Sequence, residues 1–342
     1  MNLKKKKKNI TYQKIRSKYE AKRRTKKWKE KKRKAIIHRK GEFIARQKYV
    51  AKPYTNHKAP DNMSFIDNTD EVMTYFNDSH KLFKKKEKVE FDIKDITNLT
   101  PDTITLMIAN LKDPNFTKNG EFRGEAPTEP KLKKLFLESG FYNFVATSKQ
   151  NKEKATNLLH KETDYKVRPN IAKTACIFGM EHALKTTEPF EPLYEILIEC
   201  MQNTNNHASA DDEEKCKWWL FVYNCKETNT SKYSFLDLGV GIFESIIVKN
   251  YITKAAKKIG ALPNTHFVKD LLNGNIQSRI EKDNEIRGKG IPQIVAHSSF
   301  EEFKEFKIIS NDVKIDLKNK THEKLNNNFS GTFYYWEIKN IA

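Results

Sequence analysis

The chain is poor in cysteine, glycine and proline: four, 12 and 11 in 342 residues. Cys176, Cys200, Cys216 and Cys225 show no CxxC pair and no regular framework. That spacing argues against a disulfide scaffold and a zinc ribbon, and suits reduced thiols in a cytoplasmic protein. No apolar run approaches the roughly 18 residues of a membrane span, so no membrane partner is expected. The first residues are charged, without the apolar core of a secretory leader. The pattern G-x-x-x-x-G-K-[ST] is also missing, which excludes a P-loop as a source of phosphate binding.

What is present is unevenly spread. Residues 1–50 hold 16 Lys and 6 Arg against 3 Glu, a net +19 out of the chain's +20, so the remaining body is nearly neutral. Neither Gly nor Pro occurs before Gly41. This basic arm is expected to be helical or disordered, and Tyr12, Tyr19 and Trp28 lie among its cations. Aromatic rings between positive charges suit nucleic acid or another polyanion. Hydrophobic content of 37%, with 21 Phe and 13 Tyr, is enough for cored domains after it.

Residues 51–85 carry turn formers and are expected to be a linker. From 86 to 150 the pattern changes. VEFDIKDI alternates as a half-buried strand does, Thr100 and Pro101 open a helix over TPDTITLMIANLK, and KLKKLFLESG gives another helix ending at Gly140. FYNFVATS then reads as a strand. The segment resembles the STAS-like domains related to anti-anti-sigma factors, which implies a small α/β domain and a surface for a protein partner.

Residues 151–342 hold the chemistry. EILIECMQNTNNHA, from Glu195 to Ala208, reads as a helix on which Glu195, Glu199, Asn203 and His207 recur every four residues. KWWLFVYNC and KYSFLDLGVGI read as strands joined by KETNTS. RGKGIPQIVAHS is a glycine loop entering a helix, and FKIISNDVKIDL and FSGTFYYWEI close the chain as strands. In order, the pieces are Glu199–Asn203, Asp237–Ile242, Arg287–Ile291 and Gly331–Thr332.

This ordered set resembles the GHKL ATPases: type II topoisomerases, the heat-shock chaperone of that fold, MutL proteins and histidine kinases. The resemblance implies a two-layer α/β sandwich, a mixed sheet with helices on one face. It also implies that ATP and Mg²⁺ are bound. By resemblance Glu199 is the catalytic base, Asn203 the Mg²⁺ ligand, and Asp237 and Thr332 recognise adenine. Gly239, Gly241 and Ile242 form one nucleotide loop. Arg287, Gly288, Lys289, Gly290 and Ile291 form the second, where helix amides favour phosphate. Residues 243–286 would be the ATP lid, with Arg279 and Lys282 near its end. The expected activity is slow ATP hydrolysis driving a conformational switch. The alternatives are a protein kinase of the anti-sigma or histidine-kinase type, and a nucleic-acid-binding protein that uses the arm and switches through the ATPase fold. Several such proteins dimerise, which implies a homodimer.

Overall fold

The computed structural model describes residues 16–36, 38, 53–113, 121–147, 149–161, 166–207, 217–247, 262–278 and 290–341. The chain separates into two compact units, Met1–Pro53 and Tyr54–Ala342. Within the first, residues 16–36 form a single helix, α1, whose described side chains are all exposed. The absence of Gly and Pro permits this helix, and its lack of an apolar face leaves nothing to bury.

The second unit is a mixed α/β structure. It opens with β1 (Tyr54–Lys58), β2 (Asn62–Met63), α2 (Thr69–Lys84), β3 (Lys88–Asp92) and β4 (Asn98–Leu99). There follow α3 (Pro101–Lys112), β5 (Phe122–Gly124) and α4 (Pro130–Glu138). β1, β3 and β5 pair in parallel, as do β2 and β4. The expected linker at 51–85 is therefore corrected for its described residues, which hold two strands and a helix. The turn formers mark only the loops. TDEVMTYFNDSHKLFK is amphipathic, burying Val72, Met73, Tyr75, Phe76 and Phe83.

Two further readings change. Thr100 stands at the N-cap position of α3, but its hydroxyl donates to the Met63 carbonyl at 3.4 Å and makes no cap bond. The strand expected at FYNFVATS is a 3₁₀ turn, Phe141–Asn143. Gly140, at φ 84°, ends α4 as expected, and the chain then doubles back so that Phe141 meets Phe136 at 4.3 Å.

The larger sheet follows: β6 (Leu158–Lys161), β7 (Trp218–Cys225), β8 (Thr230–Asp237), β11 (Phe303–Asp316) and β12 (Thr321–Ile338). Its order is β11-β12-β8-β7-β6, and each of these pairings is antiparallel. The mixed sheet expected here is thus antiparallel among the described strands, with parallel pairing confined to the smaller sheets. β9 (Ile246–Ile247) and β10 (Gln277–Ser278) form a short separate ladder.

Helices α5 (Pro169–Ala183), α6 (Glu191–His207) and α7 (Gly290–Ser298) share a core with one face of the large sheet. α6 contributes Leu193, Ile196, Leu197, Cys200 and Met201, all fully buried. Trp218, Leu220, Tyr233, Phe235, Tyr334 and Trp336 supply the sheet side. The alternate residues Trp219, Phe221, Leu236, Phe333 and Tyr335 point the other way, into a core shared with α2 and α3. Helices on a single face were expected; both faces are covered. WWLFV is apolar at every position rather than every second one, the pattern of a strand buried on two sides.

Candidate nucleotide site

α6 runs along the sheet with its apolar stripe inward, so the polar stripe one turn around faces α7. Gly290, the first residue of α7, comes to lie against that stripe. A Cβ placed on Gly290 would stand 2.8 Å from Glu199 Oε2 and 2.9 Å from Asn203 Oδ1. Two segments 87 residues apart thus meet at the first turn of a helix, where free amides and the dipole favour negative charge. The Asn203 amide nitrogen donates to the buried Tyr334 hydroxyl at 3.4 Å, which turns its oxygen toward Gly290. The Glu199 carboxyl is pushed above its ordinary value by burial and by the neighbouring Glu195, while His297 pulls it down.

Glu195 does different work from the stripe it belongs to. Its Oε2 accepts from Gln293 Nε2 at 2.9 Å and meets His297 Nε2 at 2.5 Å, so it clamps the far end of α7 to α6. His207 closes α6, and its side chain lies outside the described residues.

Asp237 ends β8 with its side chain under α6. It is 4% exposed, and its carboxyl accepts from the Gly239 amide at 2.9 Å and the Thr204 hydroxyl at 3.3 Å. Burial pushes it up from 3.8 to about 6, against the pull of those bonds and of the Thr332 amide. Thr332 pairs directly with Asp237 across β12 and β8. Gly331 permits this approach: at φ 129° its Cβ would fall 2.1 Å from the Asp237 carbonyl oxygen.

The glycine loop after Asp237 is held by residues that sequence reasoning missed. Ser310 and Asn311 sit where the β11–β12 register slips, with Asn311 at φ 53°. The Ser310 hydroxyl accepts from the Ile242 amide at 2.8 Å and donates to the Gly331 carbonyl at 2.8 Å. Asn311 accepts from the Phe243 amide at 3.0 Å and donates to the Val240 carbonyl at 2.9 Å. The polar triplet Ser-Asn-Asp inside an otherwise alternating strand was the signal available for this bulge. Thr204 had none, since it is one of several small polar residues on α6. Gly241, at φ 85°, faces Asn311 so closely that a Cβ would meet its Oδ1 at 2.5 Å.

Glu199, Asn203, Gly290 and Ile291 thus gather where α6 meets α7. Asp237, Gly239, Gly241, Ile242 and Thr332 gather at the adjoining strand ends. Arg279, Lys282, Arg287, Gly288 and Lys289 lie outside the described residues, as does half of the expected lid at 243–286. Ile246–Ile247 pairs with Gln277–Ser278, and Asn264–Leu272 forms a short 3₁₀-to-α segment.

Among the described residues, no group of three or more His, Cys, Asp or Glu could hold a metal ion. Likewise, no helix there is long and apolar enough to cross a membrane. Comparison with protein-family models and with curated proteins gives no match.

Proposed function

We propose that the chain binds Mg²⁺–ATP in the manner of the GHKL ATPases and uses slow hydrolysis to switch conformation. The observation that carries this reading is the approach of Gly290 to Glu199 and Asn203, beside a buried Asp237 paired with Thr332. The donor set suits the ligand. A carboxylate has about four acceptor sites, so Asp237 can hold Gly239 and Thr204 and still accept from an adenine amino group. Bases lacking that donor would leave it unpaired, and the site would reject them.

Bound Mg²⁺–ATP supplies the electrophilic γ-phosphate and the neutralising cation. Asn203 would hold the ion through its neutral side-chain oxygen. Glu199 would orient a water and take its proton, and its raised pKa makes it a stronger base than an exposed carboxylate. The amides of Gly290 and Ile291 would be available to phosphate oxygens, and Glu195, through Gln293 and His297, ties α7 to α6.

Thermal melting with saturating ATP and Mg²⁺ tests the reading. At a ligand concentration of about 100 Kd, stabilisation is about 2.7 kcal/mol, a rise of about 4 °C for a chain of this length. GTP should give much less. Asp237→Ala should remove the ATP shift, and Gly290→Ala should weaken it by placing a methyl against Glu199 and Asn203. Glu199→Ala should keep the shift and lose phosphate release. A melting curve indifferent to ATP would sink the proposal.

A further inference from the structure

We infer that α1 is a binding element for double-stranded DNA that lies in the major groove, independent of the nucleotide site. Residues 16–36 contain twelve Lys and Arg and two Glu. At about 1.5 Å per residue the helix is roughly 31 Å long and about 10–12 Å across.

Its charges are not scattered. Arg16, Arg23, Arg24, Lys27, Lys31 and Lys34 recur at helical spacings and form one broad band. Lys18, Lys22, Lys26, Lys29, Lys32 and Arg33 form a second broad band on a different side. Between them runs a narrow uncharged strip of Ala21, Trp28 and Ala35, at i, i+7 and i+14, edged by Lys32, whose ammonium lies 5.0 Å from the Trp28 ring centre. Trp28 is 60% exposed, although Trp218, Trp219 and Trp336 are all buried.

Two cationic bands flanking a small uncharged strip match a groove with two phosphate walls and a floor of base edges. The B-form major groove, about 12 Å wide, admits such a helix. The deep, narrow major groove of A-form RNA does not. A single strand offers one line of phosphates, which would engage one band and leave the other idle. A membrane-surface helix needs a broad apolar face, and three residues do not make one.

The test is fluorescence anisotropy of a labelled duplex of about 20 base pairs, titrated with the full chain over a range of salt. With about five phosphates neutralised, log K should fall against log salt with a slope of about −4 to −5. Replacing Lys18, Lys22, Lys29 and Arg33 together by Gln should weaken binding at least tenfold and flatten the slope by about 0.9 per charge removed. These positions lie outside the Tyr54–Ala342 unit, so its melting temperature should not change and loss of binding cannot be charged to unfolding. Duplex DNA should also protect Trp28 emission from iodide. Equal or tighter binding to a single strand or to duplex RNA would overturn the inference. So would preferential binding to anionic lipid vesicles, or an unchanged salt slope in the Gln variant.

Discussion

Replacing Asp237 by Asn isolates what it costs the fold to hold a carboxylate between α6 and the end of β8. Burial raises this group from 3.8 to about 6. Two units are worth about 3 kcal/mol at about 1.4 kcal/mol each. The folded pKa lies above the unfolded one, so between about pH 4 and pH 6 the native chain holds roughly one proton more than the unfolded chain. Stability from this group therefore falls as pH rises through that window, and the penalty is complete above about pH 6. An amide has no charge to desolvate. In the variant, the amide oxygen still accepts from the Gly239 amide. Thr204 can turn its hydroxyl to the Cys200 carbonyl, 3.2 Å away, and accept from the new nitrogen. Urea unfolding of both proteins from pH 5 to pH 8 should show the variant gaining on the wild type by about 1.4 kcal/mol over that range. Two stability profiles that run parallel would refute the reasoning, because the carboxyl would then not be titrating from a buried, raised state.

Two further perturbations probe how the site and its support are held. Gly241→Ala forces a side chain into the left-handed region and onto Asn311 Oδ1, so it should destabilise by about 2 kcal/mol. An unchanged urea midpoint would show that the loop relaxes without help from Asn311. Asp70→Ala removes the carboxylate that accepts from the Asn326 and Asn327 amides at 2.9 and 3.0 Å, linking α2 to β12. It should cost about 1 kcal/mol and leave a single calorimetric transition, since α2, α3 and the large sheet share one core. Two resolved transitions would contradict that shared core.

The separation of the basic arm was legible because charge and absence of Gly and Pro need no tertiary partner to be read. α6 was legible from its apolar stripe, and β7 and β8 from their apolar runs and the polar turn between them. The cover on the second face was not. Residues 51–85 read as a linker because Pro53, Asn56, Pro60, Asp61 and Asn62 signal turns, and the amphipathic face of α2 lay beyond them. Thr100 read as a helix cap from local pattern alone, yet its hydroxyl goes to Met63, a partner 37 residues away.

By itself, the sequence determined the apolar faces, the glycines able to adopt positive φ, and the order of the polar motifs along the chain. Those depend on periodicity and on backbone sterics within a few residues. The tertiary structure alone decided which polar residues meet: that Glu199 and Asn203 face Gly290, while Glu195, on the same stripe, is spent clamping α7. It also decided that Ser310 and Asn311 hold the glycine loop, through a register slip set by pairing with β12. The physical reason is range. A helical stripe specifies which side chains share a face, but only the packing of α6, α7 and the strands specifies what that face meets.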